Sequence, residues 1–165
     1  MNLIEQIEHV LAAFRVIPHV AALAFAYLLA LPVGWNRERN ERSAGLRTFP
    51  LVAVASCGFV QATEAHIGTS PEAQARIIEG LITGIGFIGG GAIIKQGGAV
   101  QGTATAAGLW ATGAIGAAVG LGSYDVAIAV TLFTIFTFHF LSPLKDQAAP
   151  GDDIGPPSHQ GPRAQ

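Results

Sequence analysis

The stretch Leu81–Tyr124, LITGIGFIGGGAIIKQGGAVQGTATAAGLWATGAIGAAVGLGSY, carries one charged side chain, Lys95. A soluble fold would have to turn polar faces to water somewhere along such a length. No helical or strand alternation of charge occurs here, and a chain embedded in lipid has this composition. The whole 165-residue chain follows suit, with half its residues hydrophobic and 12% charged, against roughly 25% charged in ordinary soluble domains. A net charge of −2 gives no electrostatic pointer to nucleic acid, and none is expected as a partner. Cys57 is the only cysteine, so no internal disulfide can form.

Outward from this stretch, apolar runs mark five membrane helices in an all-α, polytopic fold. They cover about Ile17–Trp35, Phe49–Thr63, Leu81–Ile94, Thr103–Leu121 and Asp125–Leu141. The first matches the ~20 residues needed to cross the hydrocarbon core. Thr48 can cap the second, with Pro50 in its first turn. Ser70-Pro71-Glu72 reads as an N-cap, a first helical residue and an acidic group at the positive helix end. Glu72, Arg76 and Glu79 then fall on one face. Residues 1–16 place Leu3, Ile7, Val10 and Phe14 at helical spacing, opposite Glu5, Glu8 and Arg15. This predicts an amphipathic segment lying at the membrane surface or against the bundle, with a frayed terminus as the other reading. It is not a signal peptide, because its acidic residues precede any basic one. Residues 17–142 form the membrane domain. Residues 143–165, rich in Pro, Gly, Gln and Asp, are expected to be a disordered cytoplasmic tail.

Charge placement predicts orientation. With an odd number of spans and the N-terminus outside, Arg37, Arg39, Arg42, Arg47, Lys95, Lys145 and Arg163 are cytoplasmic, and only Arg15 and Arg76 are outside. That is a positive-inside pattern.

The glycines raise two readings. Gly84, Gly86 and Gly89 satisfy G-x-G-x-x-G, but a dinucleotide site needs a preceding strand and a following acidic residue, and none occurs between Glu79 and Asp125. No cofactor is expected. Close helix packing through Gly80, Gly84, Gly86, Gly89, Gly90, Gly116 and Gly120 is the favoured reading. Gly89-Gly90-Gly91 also leaves open an unwound turn lining a polar cavity.

Three motifs carry a family resemblance. They are NRERNERSAGLRTF (Asn36–Phe49), GIGFIGGGAIIK (Gly84–Lys95) and GTATAAGLWATGAIGAAVGLG (Gly102–Gly122). In order and spacing, over about residues 20–140, the chain resembles the MgtC/SapB family, including its YhiD-type members. The chain has Asn36 where many relatives have Glu, Phe49 where they have His, and Ser70 where an Asp often stands. Ala104-Thr105-Ala106-Ala107 replaces the usual Thr-Thr-Ala-Ala. MgtC-type members also carry a soluble C-terminal domain, whereas this chain closes on a short tail. The resemblance implies a bacterial inner-membrane protein linked to magnesium limitation and virulence.

Three functions compete. The first is a non-enzymatic modulator of other membrane proteins, acting through small-residue helix faces. The second is a small transporter or channel for ions such as Mg²⁺. Its polar groups in the spans would be Thr83, Thr105, Thr112, Thr131, Thr134 and Thr137, with Glu64, Glu79 and Asp125 near the outer face. The third, an enzyme, finds no metal-ligand cluster and no nucleophile–base pair: His19, His66 and His139 stand alone, and Cys57 reads as inert core. No catalytic residue and no metal site are assigned. The expected partners are the lipid bilayer and other membrane proteins, with a homo-oligomer left open. Arg37, Glu38, Arg47, Thr48 and Lys95 are expected to meet in a cytoplasmic polar cluster. Glu38 would pair with Arg47 or Lys95, and the cluster would take an anionic headgroup or a partner protein. The competing reading of the cluster is a solvated basic loop that only sets topology.

Overall fold

The computed structural model describes residues 16–40, 44–67, 70–96 and 99–141. The amphipathic segment expected over residues 1–16 and the tail expected over 143–165 therefore lie outside the described residues, except for Val16. Five α-helices dominate. They are α1 (Val16–Asn40), α2 (Thr48–Ile67), α3 (Pro71–Gly91), α4 (Thr103–Gly120) and α5 (Tyr124–Phe136), and α5 continues as a π-helical turn over Thr137–Leu141. Two segments, Val16–Arg39 and Tyr124–Leu141, are long and apolar enough to cross a membrane, while Thr48–Thr63 is apolar but shorter.

The architecture is helical as expected, with one short departure. Between α3 and α4 lies an antiparallel hairpin of β1 (Ile94–Gln96) and β2 (Ala99–Gln101), with Lys95 opposite Val100. Gly97-Gly98 in the sequence is a two-residue hairpin signal. Helix α3 therefore ends at Gly91 rather than at Ile94, with Ala92 as its C-cap. The three successive glycines at its end remain α-helical through Gly91.

Helix α4 is the axis of the bundle and packs against α1, α2, α3 and α5. Its buried residues include Gly108, Gly113, Gly116 and Gly120, interleaved with Leu109, Ile115 and Val119. The glycines let neighbouring helices close in, because they carry no Cβ at the contact. Gly116 lies on the Ala53 backbone, Gly120 on Val60 and the Cys57 carbonyl, and Gly113 against the Ile85 side chain. On α1 the buried stripe is Ala22, Ala26, Ala30 and Val33, at helical spacing. Two apolar clusters result. One is centred on Ala26, Ala53, Ile115 and Ala127, the other on Val33, Phe49, Leu109 and Phe138.

The C-terminal ends of α1, α3 and the π turn lie with the N-terminal ends of α2 and α4. Gly34 abuts the Gly45 carbonyl, Gly89 abuts Ala106, and Phe138 and Phe49 both abut Gly108. This end of the bundle holds Arg37, Arg39 and Arg47 of the arginine-rich motif, and the hairpin leaves from it.

Candidate functional site

The helix α1 runs five residues past Trp35, so Arg37, Glu38 and Arg39 form its last turn rather than a loop. Helical geometry sends these three side chains in different directions. Arg37 falls eleven residues after Ala26 and four after Val33, which continues the buried stripe. It is 2% exposed. Its Nη2 donates to Asn36 Oδ1 at 3.2 Å, and its guanidinium carbon lies 4.1 Å from the centroid of the Phe138 ring. That is cation–π geometry.

Glu38 is exposed and faces the chain entering α2. Its Oε2 accepts a hydrogen bond from the Leu46 backbone N–H at 3.0 Å. Gly45 sits directly against the Glu38 backbone and side chain, where any Cβ would collide. Gly45 does not have a positive φ, so closeness to Glu38, not left-handed geometry, requires glycine here. The Gly45 carbonyl then accepts from the N–H groups of Thr48 and Phe49 at 3.0 and 3.1 Å, starting α2. The Glu38 carboxylate thus engages a backbone donor. Among the described residues no ion pair joins it to Arg47 or Lys95. Arg47 is exposed just before α2, Thr48 is half-buried as its first residue, and Lys95 is exposed on β1. The five residues share one end of the bundle, but Arg37 turns inward, Glu38 clamps a loop, Thr48 starts α2, and Arg47 and Lys95 extend into the surroundings.

Five threonines of the helices are turned back on their own backbones. Thr112, buried, donates to the Gly108 carbonyl at 2.8 Å. Thr131 donates to Ala127 at 2.8 Å and Thr134 to Val130 at 2.7 Å. Thr83, exposed, donates to Glu79 at 2.9 Å, and Thr137 to Phe133 at 2.8 Å. Thr105 is fully buried on the first turn of α4. A groove of about 320 Å³ between α3, α4 and the start of α5 is walled mainly by apolar side chains, among them Ile82, Ile85, Trp110, Leu121 and Val126, with Ser123 at its edge. Among the described residues no group of three or more His, Cys, Asp or Glu could hold a metal ion.

Of the seven glycines expected to pack helices, Gly89 lies on Ala106, and Gly116 and Gly120 lie on α2. Gly86 only reaches Trp110 Nε1, 4.0 Å from where its Cβ would stand, and Gly80, Gly84 and Gly90 have nothing within 4 Å. Sequence reasoning missed the inward turn of Arg37 and its contact with Phe138. The Ala26–Ala30–Val33 periodicity, carried on one turn, was the signal for the first; nothing in the sequence marks the π turn that presents Phe138.

At the far end of the bundle, Ser70 caps α3. Its Oγ donates to Glu72 Oε2 at 2.9 Å and accepts from the Ala73 N–H at 3.5 Å. The Glu72 carboxyl is held below the usual carboxylate range by its backbone hydrogen bond and by the Ser70 hydroxyl.

Comparison with known proteins supplies the family. The MgtC family model matches residues 23–147. The protein MgtC of Salmonella typhimurium strain LT2 is 38% identical over 118 residues, covering 72% of this chain and 50% of that protein. The protein MgtC of Brucella abortus strain 2308 is 39% identical over 132 residues, covering 79% of this chain and 55% of that protein. The chain thus spans about half the length of the curated relatives it matches. No solved structure matches it. With a family match running from the first buried turns of α1 past the π turn, and both relatives agreeing, the chain belongs to the MgtC family.

Proposed function

We propose that this chain is a bacterial inner-membrane protein of the MgtC type that crosses the bilayer five times and modulates other membrane proteins without catalysis, under magnesium limitation or related stress. Membrane residence is supported by the exterior. Ile17, Val20, Leu28, Leu51, Phe59 and Phe133 are all exposed, which in water would be a large aggregation-prone surface. The 18 residues of α4 span about 27 Å, close to the ~30 Å hydrocarbon core. The charges support the orientation. Among the described residues, one end of the bundle carries Arg37, Arg39, Arg47 and Lys95 together with Glu38. The other end carries Asp125, Glu72 and Glu79 beside Arg76. By the positive-inside rule the first end is cytoplasmic. A reporter fused after Lys145 is therefore expected to be active only as a cytoplasmic fusion, and periplasmic activity there overturns the topology.

One observation carries the choice of modulator over transporter. Thr112, Thr131 and Thr134, which a conduction path would need, donate to carbonyls of their own helices, and the groove between α3, α4 and the start of α5 is lined almost wholly by apolar side chains. A path for Mg²⁺ needs oxygen ligands, chiefly carboxylates and water, along its length. The deciding measurement is Mg²⁺ entry into proteoliposomes holding the purified protein and a trapped Mg²⁺ dye. Entry at the rate of protein-free vesicles is expected. Entry above that rate, lost in Thr112→Val, would make the protein a transporter.

A further inference from the structure

The groove between α3, α4 and the start of α5 is a place where the bundle does not close. On its other side α4 is pressed against α2, with Gly116 on the Ala53 backbone. Toward the groove α4 shows Ala114 and Ala117, and no side chain of α3 or α5 fills the space beside them. The innermost lining residues are Ile85 on α3 and Trp110 on α4, and the lining ends at Ile78, Leu121 and Ser123. From Trp110 to Leu121 the helix rises about 16 Å, close to half of the ~30 Å hydrocarbon core. The groove's volume of about 320 Å³, spread over that rise, gives a mean cross-section of roughly 20 Å², a channel about 5 Å across. An α-helix with its side chains is about 10–12 Å across and does not enter such a channel. A single polymethylene chain does, since its carbons sit about 4 Å from the carbons they touch.

The rim is polar. Ser123 lies at the groove's edge, and its hydroxyl makes no capping bond to α5. Glu79, three residues before Ile82 on the same side of α3, and Asp125, next to Val126 at the head of α5, are both exposed. Neither carboxylate has a partner among the described residues. Arg76, nine residues before Ile85, falls on the opposite arc of α3 and leaves the rim anionic.

We propose that the groove holds one acyl chain of a phospholipid whose headgroup carries an ammonium. The chain lies along α4 from Leu121 to Trp110. At the rim the Ser123 hydroxyl donates to an ester or phosphate oxygen, and the ammonium sits between Glu79 and Asp125, where carboxylates accept its N–H groups. The length fits a chain descending through one leaflet, the cross-section fits one chain and no helix, and the charge selects an amine over an anionic headgroup without one. The proposal rests on the membrane reading above, and in that orientation the lipid belongs to the outer leaflet. It goes beyond the modulator reading, because it names a ligand and the place that takes it.

The test is quenching of Trp110 fluorescence in a Trp35→Phe variant, which leaves one tryptophan. The purified chain is reconstituted in phosphatidylglycerol vesicles, and phosphatidylethanolamine brominated near the end of its chains is titrated in. Quenching is expected to reach half its maximum at a mole fraction about fivefold lower than with phosphatidylglycerol brominated at the same carbons, a ratio of the size two exposed ion pairs supply. Ala114→Phe, which fills the groove from an exposed position, is expected to bring the two curves together. Glu79→Gln with Asp125→Asn, both exposed and outside the packed core, is expected to do the same by removing the headgroup preference alone. Equal curves for the two lipids in the parent overturn the proposal and leave the membrane reading standing. A preference for phosphatidylethanolamine that persists in either variant also overturns it. Quenching by neither lipid overturns both, because Trp110 would then lie outside hydrocarbon.

Discussion

Two alanine substitutions on glycines of the same motif class should move stability in opposite directions. At Gly116 an added Cβ runs into the carbonyl oxygen of Ala53 and lies 2.8 Å from its carbon and 2.9 Å from its Cα, all backbone atoms of α2. Backbone cannot rotate away as a side-chain tip can, so one of the two helices must shift. Helix α4 is gripped by α1, α3 and α5 as well, so a shift toward relief at Ala53 compresses another contact. Overpacking of this kind costs roughly 1–3 kcal/mol, and a clash with backbone belongs at the upper end. The better helix propensity of alanine returns about 1 kcal/mol. Gly116→Ala should therefore lose about 2 kcal/mol net. Gly84→Ala meets nothing within 4 Å and should keep the propensity gain of about 1 kcal/mol. In a chain of this size each kcal/mol moves the midpoint by roughly 2–4 °C, so the two variants should differ by about 6–12 °C. Thermal unfolding of detergent-purified protein, followed by loss of the monodisperse peak, measures the difference. Equal midpoints, or a Gly116→Ala variant more stable than the parent, would refute the packing at α4.

Arg37→Lys should weaken the α1–π-turn contact, because an ammonium keeps the charge but loses the planar stacking over Phe138 and the fork toward Asn36. Limited proteolysis after Leu141 should accelerate, and unchanged cleavage would show that charge alone suffices. Glu38→Ala removes the acceptor for the Leu46 N–H. It should cost about 1–2 kcal/mol, as for a charged hydrogen bond of partly exposed groups, and Arg47→Lys should cost nothing measurable; thermal midpoints of the two separate a clamp from a solvated basic loop. The depressed Glu72 carboxyl predicts a pH effect. Because its pKa is lower folded than unfolded, its contribution is present above the ordinary carboxylate pKa and is lost as pH falls through the folded value. Hydrogen exchange at the Ala73 and Gln74 amides should speed up in that acid range, and Glu72→Gln should remove the dependence.

How far the fold was legible depends on which signal each part leaves. The five helices show as apolar runs, and hydropathy marks them well. Their ends show poorly. Hydropathy records where the side chains become apolar, whereas a helix continues as long as its backbone bonds do. So α1 carries Asn36–Asn40 beyond its apolar part, and α2 reaches Ile67 beyond Thr63. The hairpin after α3 is too short for periodicity to reveal, and only Gly97-Gly98 hints at it. Packing faces were the harder problem. The rule that glycines four apart join helices does not say to what. Gly116 and Gly120 face α2, while Gly80 and Gly84, with the same spacing, face outward. The difference lies in which arc of the helix the partner occupies, and that is decided by tertiary contacts. In the polar cluster, residue types and their common end of the bundle could be read from the motif. The direction of each side chain could not, since adjacent helical positions diverge by about 100°.

That divergence explains how one short motif serves three purposes. In the last turn of α1, the side chains of Arg37, Glu38 and Arg39 leave at about 100° to one another. The inward one is the expensive one, since a buried charge loses hydration that other contacts must replace. Three features help offset the loss. Arg37 stands in the last turn of α1, where the negative end of the helix dipole favours a cation by about 0.3–1 kcal/mol, and more when partly buried. The ring face of Phe138 adds roughly 0.5–2 kcal/mol. Asn36 accepts one of its N–H groups. Two of these three are set by position along the chain, but Phe138 must be delivered from the far end of the sequence. The π turn does this: Phe138 is buried while its neighbours Thr137 and His139 are exposed, and its ring fills the notch at Gly108 on the way to Arg37. A bulkier residue at 108 would push the ring out and weaken its contact with the guanidinium. Gly108→Ala, whose Cβ would stand 2.8 Å from Phe138 and 2.9 Å from Phe49, should therefore destabilise more than its small volume implies. Pairing it with Arg37→Leu should recover part of the loss, because the cation that needed the ring is gone. A double-mutant cycle on thermal stability reads this coupling directly. Strict additivity of the two substitutions would mean that Phe138 packs for its own sake and that Arg37 is satisfied without it.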